Sequence, residues 1–136
     1  MTGKRAAMVL TAISIVLFVA FYITAATYPM YGPVPWHLGG HVFDRATNAL
    51  SGVRIRASGT VRVTALNHIV GTSPRTFAQE TETDSSGGFS LDCRAAFFQL
   101  VFSKAGYRDE GRSFEVRFDG PYDTNQDIQV FLGSDR

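Results

Sequence analysis

Three histidines and one cysteine are the first candidates for metal binding and for nucleophilic catalysis in this 136-residue sequence. The histidines are His37, His41 and His68. On one extended segment His37 and His41 would lie about 13 Å apart, whereas a bond from zinc to a histidine nitrogen is about 2.1 Å long. The spacing therefore argues against a shared metal ion, and we predict neither a metal site nor a cofactor.

Cys93 is the single cysteine, so it cannot form a disulfide within the chain. A cysteine acts as a nucleophile beside a positioned base, and the sequence spacing around Cys93 suggests no acid–base partner. We interpret Cys93 as a partly buried, small apolar residue at a strand end. With no catalytic residue set, we predict that the protein is not an enzyme.

Four arginines are the candidates for a partner-binding surface. They are Arg54, Arg56, Arg62 and Arg117. A basic stripe of this kind would suit an anionic glycan or a lipid headgroup, but outward charges on strands are also the usual protection against edge-to-edge pairing. The formal net charge of +1 excludes the strongly basic surface of a nucleic-acid-binding protein, so we predict no nucleic-acid partner.

The N-terminal segment is long and apolar. Residues Ala6 to Ala26 would form about 30 Å of helix, which matches the hydrocarbon core of a bilayer. The segment exceeds the usual apolar region of a signal peptide, and Thr24 to Ala26 is a poor cleavage site. We predict that residues 1–27 are an uncleaved signal anchor; cleavage would instead give a secreted protein. Because Lys4 and Arg5 precede the segment, the N-terminus is expected in the cytoplasm and the rest outside.

Residues 28–37 differ in composition from the segments on either side. They contain three prolines and three large aromatic residues, which are Pro29, Pro33, Pro35, Tyr28, Tyr31 and Trp36. This composition is typical of a short, stiff, extended spacer with rings at headgroup level. A proline-rich ligand for the groove of a partner is the alternative interpretation.

Residues 38–136 show the period-two alternation of β-strands, with turn signals between short runs and no helical pattern. The turn at Asp84–Gly88 is the clearest signal, because Asp and Ser side chains bond the backbone and glycine supplies positive φ. The pattern predicts an all-β fold, a seven-stranded Greek-key β-sandwich. The predicted strands include Gly40–Asp44, Val53–Ala57, Phe89–Leu91, Phe97–Phe102, Phe114–Phe118 and Ile128–Leu132.

Two stretches have a less regular pattern. Within Ser58–Glu82 we expect a strand at Val61–Val63, a loop at Gly71–Pro74 and a strand at Phe77–Thr83, and thus an extra hairpin or a mobile loop. Arg108–Arg112 is expected to be a charged turn.

A G-x-V-x-D opening is met at Gly40, Val42 and Asp44, followed by Thr47, Leu50 and Gly52. A central T-D-x-x-G-x-F-x-L is met at Thr83, Asp84, Gly87, Phe89 and Leu91, and a K-x-G-Y at Lys104, Gly106 and Tyr107. These residues resemble the motifs of the carboxypeptidase regulatory-like domain, a transthyretin-like sandwich, and the resemblance covers Leu38 to about Leu132. Asn48 stands where the family has a turn glycine, and asparagine tolerates the left-handed conformation.

The resemblance implies a noncatalytic module of the kind found beside peptidase domains, in outer-membrane receptors and on envelope proteins. We therefore expect a membrane-anchored extracytoplasmic module that binds a protein or carbohydrate partner or braces the envelope. The alternative is a small hydrolase similar to the hydroxyisourate hydrolases. Those enzymes depend on paired histidines, an arginine and a C-terminal tyrosine motif, whereas this chain ends Gly133 to Arg136 and has its histidines early.

Overall fold

The computed structural model describes residues 3–27, 29–31, 33–65, 67, 71, 73–116 and 123–135. The chain forms two compact units, Met1–Met30 with Thr64–Ser73, and Tyr31–Val63 with Pro74–Arg136. The elements are α1 (Gly3–Thr27), β1 (Pro29–Tyr31), β2 (Val34–Asp44), β3 (Arg54–Thr64), β4 (Arg75–Glu82), β5 (Gly88–Ala95), β6 (Phe97–Ser103), β7 (Glu110–Glu115) and β8 (Asn125–Leu132).

The helix α1 is apolar on all sides, and its large apolar side chains are exposed. Two of its threonine side chains form hydrogen bonds to the helix backbone. The Thr11 hydroxyl donates to the Ala7 carbonyl at 2.9 Å, and the Thr24 hydroxyl donates to the Ala20 carbonyl at 2.8 Å. Gly3–Ala26 is long and apolar enough to cross a membrane. The predicted N-terminal apolar helix is therefore confirmed, and it is compatible with a signal anchor or a membrane span.

The second unit contains two sheets, which confirms the predicted β-sandwich. One sheet has the strand order β5-β2-β8, in which β2 pairs antiparallel with β5 and parallel with β8. The other sheet contains β4-β3-β6-β7, in that order and antiparallel throughout. The chain passes from β2 to the pair β3–β4, returns with β5, crosses to the pair β6–β7 and returns with β8. These crossings are the Greek-key connections of a sandwich.

Inward-facing residues from both sheets fill the core. Trp36 lies at one end of it, with its ring centroid 5.3 Å from that of Phe98 and 5.7 Å from that of Phe114, both in edge-on contact. Such pairs stabilise by about 0.5–1.5 kcal/mol beyond the area that they bury. The largest fully buried side chains are Phe102, Leu38, Ile55, Leu100, Leu132, Val42, Val53 and Val130.

The strand β2 begins at Val34, so it includes the last four residues of the predicted spacer. The physical reason is Trp36, which is 3% exposed and whose indole Nε1 donates to the Ala95 carbonyl at 3.1 Å. Trp36 and Leu38 are both buried, so the period-two alternation of the strand already operates in this stretch.

The Ser58–Glu82 segment contains the expected extra hairpin, but its first strand is longer than predicted. β3 runs unbroken to Thr64, so Val61–Val63 is not a separate strand. Ser58 and Gly59, whose composition is typical of a turn, lie within β3. A Cβ at Gly59 would meet the Phe97 carbonyl oxygen at 2.1 Å, so the glycine permits the close approach of β6.

The strand β7 begins at Glu110, so the prediction of a turn through Arg112 was wrong at its C-terminal end. Glu110 pairs with Phe102 of β6, and the backbone ladder extends the strand despite its charged sequence. The charges are accommodated by a 2.6 Å ion pair between Glu110 and Arg112, both half-buried. Phe118, the end of the predicted strand, lies outside the described residues.

The predicted turn at Asp84–Gly88 is present. Asp84 Oδ1 accepts hydrogen bonds from the Ser86 backbone N–H at 2.8 Å, the Ser86 hydroxyl at 2.7 Å and the Gly88 N–H at 3.0 Å. Gly87 has a φ of 76°, which its missing side chain allows. These hydrogen bonds hold the pKa of Asp84 below its ordinary value, and the bond from the Ser86 hydroxyl makes the largest contribution.

The turn after β2 differs from the expectation in one position. Thr47, and not Asn48, has the positive φ of 66°. Asn48 instead closes the turn through its polar groups, because its backbone N–H donates to Asp44 Oδ1 at 2.9 Å and its side-chain amide donates to Oδ2 at 3.0 Å. The side chain of Asp44 therefore organises this turn as that of Asp84 organises the other.

Candidate functional site

The candidate arginines do not form one uninterrupted basic stripe. Arg54 and Arg56 are exposed on the outer face of β3, where they pair in register with Glu82 and Glu80 of β4. Arg62 is exposed beyond an irregularity in the β3–β4 register, opposite Arg75. Cross-strand pairs of opposite charge attract, so the glutamates offset much of the positive field at Arg54 and Arg56. Arg117 lies outside the described residues.

Arg54 lines a polar cleft of about 410 Å³ at the ends of β3, β4 and β6. Lys104 also lines it, and its ammonium group donates to the Ser51 carbonyl at 2.6 Å, which ties the segment after β6 to the segment before β3. With Glu82 and Asp109 the cleft has two cationic and two anionic side chains. Such mixed charge suits a polar protein surface better than a purely anionic ligand.

His37, Asp92 and Cys93 come close in the structure but do not form a catalytic triad. His37 Nδ1 lies 2.9 Å from Asp92 Oδ1, and both side chains are exposed on the outer face of the three-stranded sheet β5-β2-β8, the small sheet. Cys93 is the next residue of β5, so its side chain points to the core, where it is 7% exposed. The alternation of the strand therefore separates the thiol from the histidine.

Burial also makes the Cys93 thiol a poor nucleophile. Desolvation, with a smaller contribution from the charge of Asp92, raises the pKa of Cys93 to about 11. Cys93 lines a cavity of about 340 Å³ together with Trp36 and Gln79. The side-chain amide of Gln79 on β4 donates a 3.2 Å hydrogen bond to the Asp92 carbonyl on β5, where the edges of the two sheets meet.

The histidines are not part of a metal site in the part of the chain that the structure describes. His37 and His41 lie four residues apart on the outer face of β2, and His68 lies outside the described residues. Among residues 3–27, 29–31, 33–65, 67, 71, 73–116 and 123–135, no group of three or more His, Cys, Asp or Glu side chains has the geometry to hold an ion.

The sequence predictions missed an aromatic stack on the outer face of the small sheet. The His41 and Phe43 rings have centroids 6.1 Å apart with an interplanar angle of 21°, and the Phe43 and Phe131 rings are 5.6 Å apart at 28°. Phe131 is 46% exposed. The x-His-x-Phe alternation of β2 contains a signal for such a row, but Phe131 joins it only through the parallel β2–β8 pairing, which the sequence does not reveal.

No protein-family model matches this sequence, and no curated protein matches it. Solved structures do match the fold. The chain is similar to the 3-chlorocatechol 1,2-dioxygenase from Rhodococcus opacus 1CP, with a TM-score of 0.54 and 11% identity over 79% of this chain. It spans 63% of that dioxygenase, and at this identity the likeness shows the fold alone.

Two further solved structures have lower TM-scores. A streptococcal ancillary pilin matches with a TM-score of 0.42 and 16% identity, over 74% of this chain and 32% of the pilin. The dioxygenase domain of a dioxygenase–carbohydrate-binding protein fusion from Streptomyces sp. SirexAA-E matches with a TM-score of 0.44 and 13% identity, over 81% of this chain and 85% of the domain.

Proposed function

We propose that this protein is a nonenzymatic module of a cell envelope, in which α1 anchors an extracytoplasmic β-sandwich that binds a protein or carbohydrate partner. The assignment of this β-sandwich to the carboxypeptidase regulatory-like family is part of the proposal. It is supported by three motif residues. Asp84 and Gly87 form the Asp84–Gly88 turn, and Lys104 donates the hydrogen bond to the Ser51 carbonyl.

The single observation that carries the proposal is the exposure of apolar side chains all around α1. Met8, Phe18 and Phe21 are 74%, 69% and 73% exposed, and the other large side chains along the helix are exposed as well. A helix that is hydrophobic on every side requires an apolar environment, and a bilayer supplies one over its full length. Lys4 and Arg5 at its start support a cytoplasmic N-terminus.

The nonenzymatic part of the proposal rests on the placement of the reactive residues. Cys93 faces the core with a raised pKa, and His37 with Asp92 faces solvent on the other side of the sheet. Two exposed surfaces within the described part of the chain, the polar cleft at Arg54 and the outer face of the small sheet, offer polar groups suited to binding.

The proposal is tested by crosslinking the full-length protein in native membranes. We expect a photoreactive residue at Ser103, which lines the polar cleft, to give a covalent adduct with a partner. The same probe at Ser113, exposed on β7 away from the cleft, is the matched control. Recovery of the monomer alone from both positions would contradict binding through the cleft. Turnover of a ureide or ester substrate that disappears in His41→Ala would favour the hydrolase alternative.

A further inference from the structure

The strand β2 contains two consecutive glycines, and the fold requires only one of them. A Cβ at Gly40 would meet the Ile128 carbonyl oxygen at 1.8 Å, so no other residue fits there. Apart from its chain neighbours, a Cβ at Gly39 would have one neighbour within 4 Å among the residues that the structure describes, the Phe89 carbonyl oxygen at the ordinary distance of 3.5 Å. A glycine inside a strand weakens it and often marks a bulge, a bend, or a place where a ligand or another backbone approaches closely. The register of β2 with β5 and β8 is continuous through Gly39, so no bulge lies there. Gly39 therefore needs an explanation other than folding.

Gly39 lies at the centre of nine outward positions on the three strands of the small sheet. Its neighbours in register are Ser90 on β5 and Asp127 on β8. Along β2 the flanking outward residues are His37 and His41. The remaining four positions are Asp92, Gly88, Asn125 and Gln129. Among the described residues, and apart from the chain neighbours of Gly39, no side chain lies within 4 Å of the missing Cβ, so the centre of this face is an open depression. The nine positions together extend about 13 Å along the strands and about 10 Å across them.

The rim of this Gly39 depression supplies both donors and acceptors. The Ser90 hydroxyl does both, Gln129 has a side-chain amide, and Asp127 has a carboxylate. His37 is held by Asp92 through Nδ1 at 2.9 Å, which leaves Nε2 to interact with a ligand. A rim that mixes donors with acceptors suits a ligand with many hydroxyl groups.

One end of the depression is aromatic. His41 lies between Gly39 and Phe43 on the same face of β2, and its ring stacks on Phe43, which in turn stacks on Phe131. The side of the His41 ring opposite Phe43 is therefore on the Gly39 side. A ring held in this way is a rigid surface for the apolar C–H face of a sugar.

We infer that the Gly39 depression binds one residue of a neutral glycan. A pyranose ring has an apolar face for His41 and hydroxyl groups for the polar rim, and the missing side chain leaves room for the ring against the backbone. Asp92 and Asp127 repel anionic sugars and phosphate groups, which selects for a neutral ligand. This inference deepens the proposed function by naming the class of carbohydrate and the surface that binds it.

The inference is tested with the full-length protein in micelles of a zwitterionic detergent, because detergents with sugar headgroups would compete. The probes are immobilised oligomers of glucose and of N-acetylglucosamine, with oligogalacturonate as the anionic comparison. Gly39→Val fills the depression with a side chain that strands accept. We expect it to weaken binding of the neutral oligomers at least about tenfold. Gly111→Val is the matched control, since a Cβ there meets only the flexible end of Gln99 and the Leu100 carbonyl oxygen.

Second variants keep the result interpretable if Gly39→Val folds poorly. His41→Ala and Asp127→Ala should each weaken the same binding while the sandwich remains folded, as thermal unfolding checks. Four results would overturn the inference: no binding of either neutral oligomer, equal loss in Gly111→Val, tighter binding of oligogalacturonate, or a change of oligomeric state as the sole effect of Gly39→Val. A protein partner captured at the polar cleft, together with any of these results, would leave the proposed function standing without the glycan site.

Discussion

The Thr83 hydroxyl donates a 2.6 Å hydrogen bond to the Leu50 carbonyl oxygen. The same hydroxyl accepts a hydrogen bond from the Val53 backbone N–H at 2.9 Å. Thr83 is 6% exposed, so these contacts satisfy two backbone groups at a buried position between the end of β4 and the segment that leads into β3. One side chain thus joins the start of the Asp84–Gly88 turn to the segment that leads into β3.

Thr83→Val should destabilise the sandwich, because it removes the hydrogen-bond partner of both backbone groups. Valine has about the volume of threonine, so packing changes little. An unsatisfied buried donor or acceptor costs about 1–3 kcal/mol. Urea unfolding of the full-length protein in micelles measures the loss, with Thr76→Val, at an exposed position of β4, as control. Equal midpoints for the two variants would show that the Thr83 hydrogen bonds contribute nothing measurable.

Acid should destabilise the protein in part through Asp84. Its pKa in the folded state is lower than the ordinary value of 3.8, because the hydroxyl of Ser86 and the N–H groups of Gly88 and Ser86 favour the carboxylate. The resulting stability is fully present above the unfolded pKa and is lost as the pH falls through the lower folded value. We expect Asp84→Asn to unfold more easily at neutral pH and to show a smaller loss of stability in acid.

Urea unfolding at a series of pH values measures the contribution of Asp84. Asp109→Asn changes another exposed carboxylate and serves as the control. A wild-type acid transition that Asp84→Asn leaves unaltered would contradict the role of the turn.

Gly59 and Gly39 should respond in opposite ways to replacement by alanine. Gly59→Ala should destabilise by about 1–3 kcal/mol or more, because the new Cβ overlaps the backbone of Phe97. Gly39→Ala should be neutral or stabilise by up to about 1 kcal/mol, since alanine costs less conformational entropy than glycine. Thermal unfolding compares them directly. Equal destabilisation by both variants would mean that the fold requires Gly39. Ligand binding would then no longer explain the glycine at this position.

Cys93 should resist alkylation in the folded protein. With its pKa raised to about 11, the thiolate is a minor species at neutral pH, and the side chain is also shielded in the core. We expect iodoacetamide to modify it only after denaturation, as measured by mass spectrometry of the intact protein. Rapid labelling of the native protein would show that the thiol is accessible and reactive.

The sequence predicted the architecture well because the sandwich depends on local signals. The period-two runs at β5, β6 and β8 form strands because one face of each is buried. The Asp84 turn forms because a side chain accepts hydrogen bonds from the nearby backbone. The boundaries that were missed depend on long-range contacts. Trp36 extends β2 by donating to Ala95, and Glu110 begins β7 because β6 supplies a pairing partner.

The candidate surfaces were harder to predict, because they depend on which strands are neighbours. Arg54 and Arg56 were recognisable as outward charges, yet the glutamates beside them come from β4, and no local sequence signal sets the register of that hairpin. The Gly39 depression requires β5 and β8 on either side of β2, and the parallel partner β8 begins 81 residues after the end of β2. No local pattern indicates that pairing.

The central claim is that α1 remains in the mature protein and holds the sandwich at a membrane. Intact-mass measurement with N-terminal sequencing, on protein recovered from carbonate-washed membranes, tests this claim most directly. We expect the full-length chain, still starting before Lys4, in the membrane fraction, with the sandwich digested by protease added from outside. A soluble chain starting near Thr27 would contradict the anchor and would identify the N-terminal segment as a cleaved signal peptide.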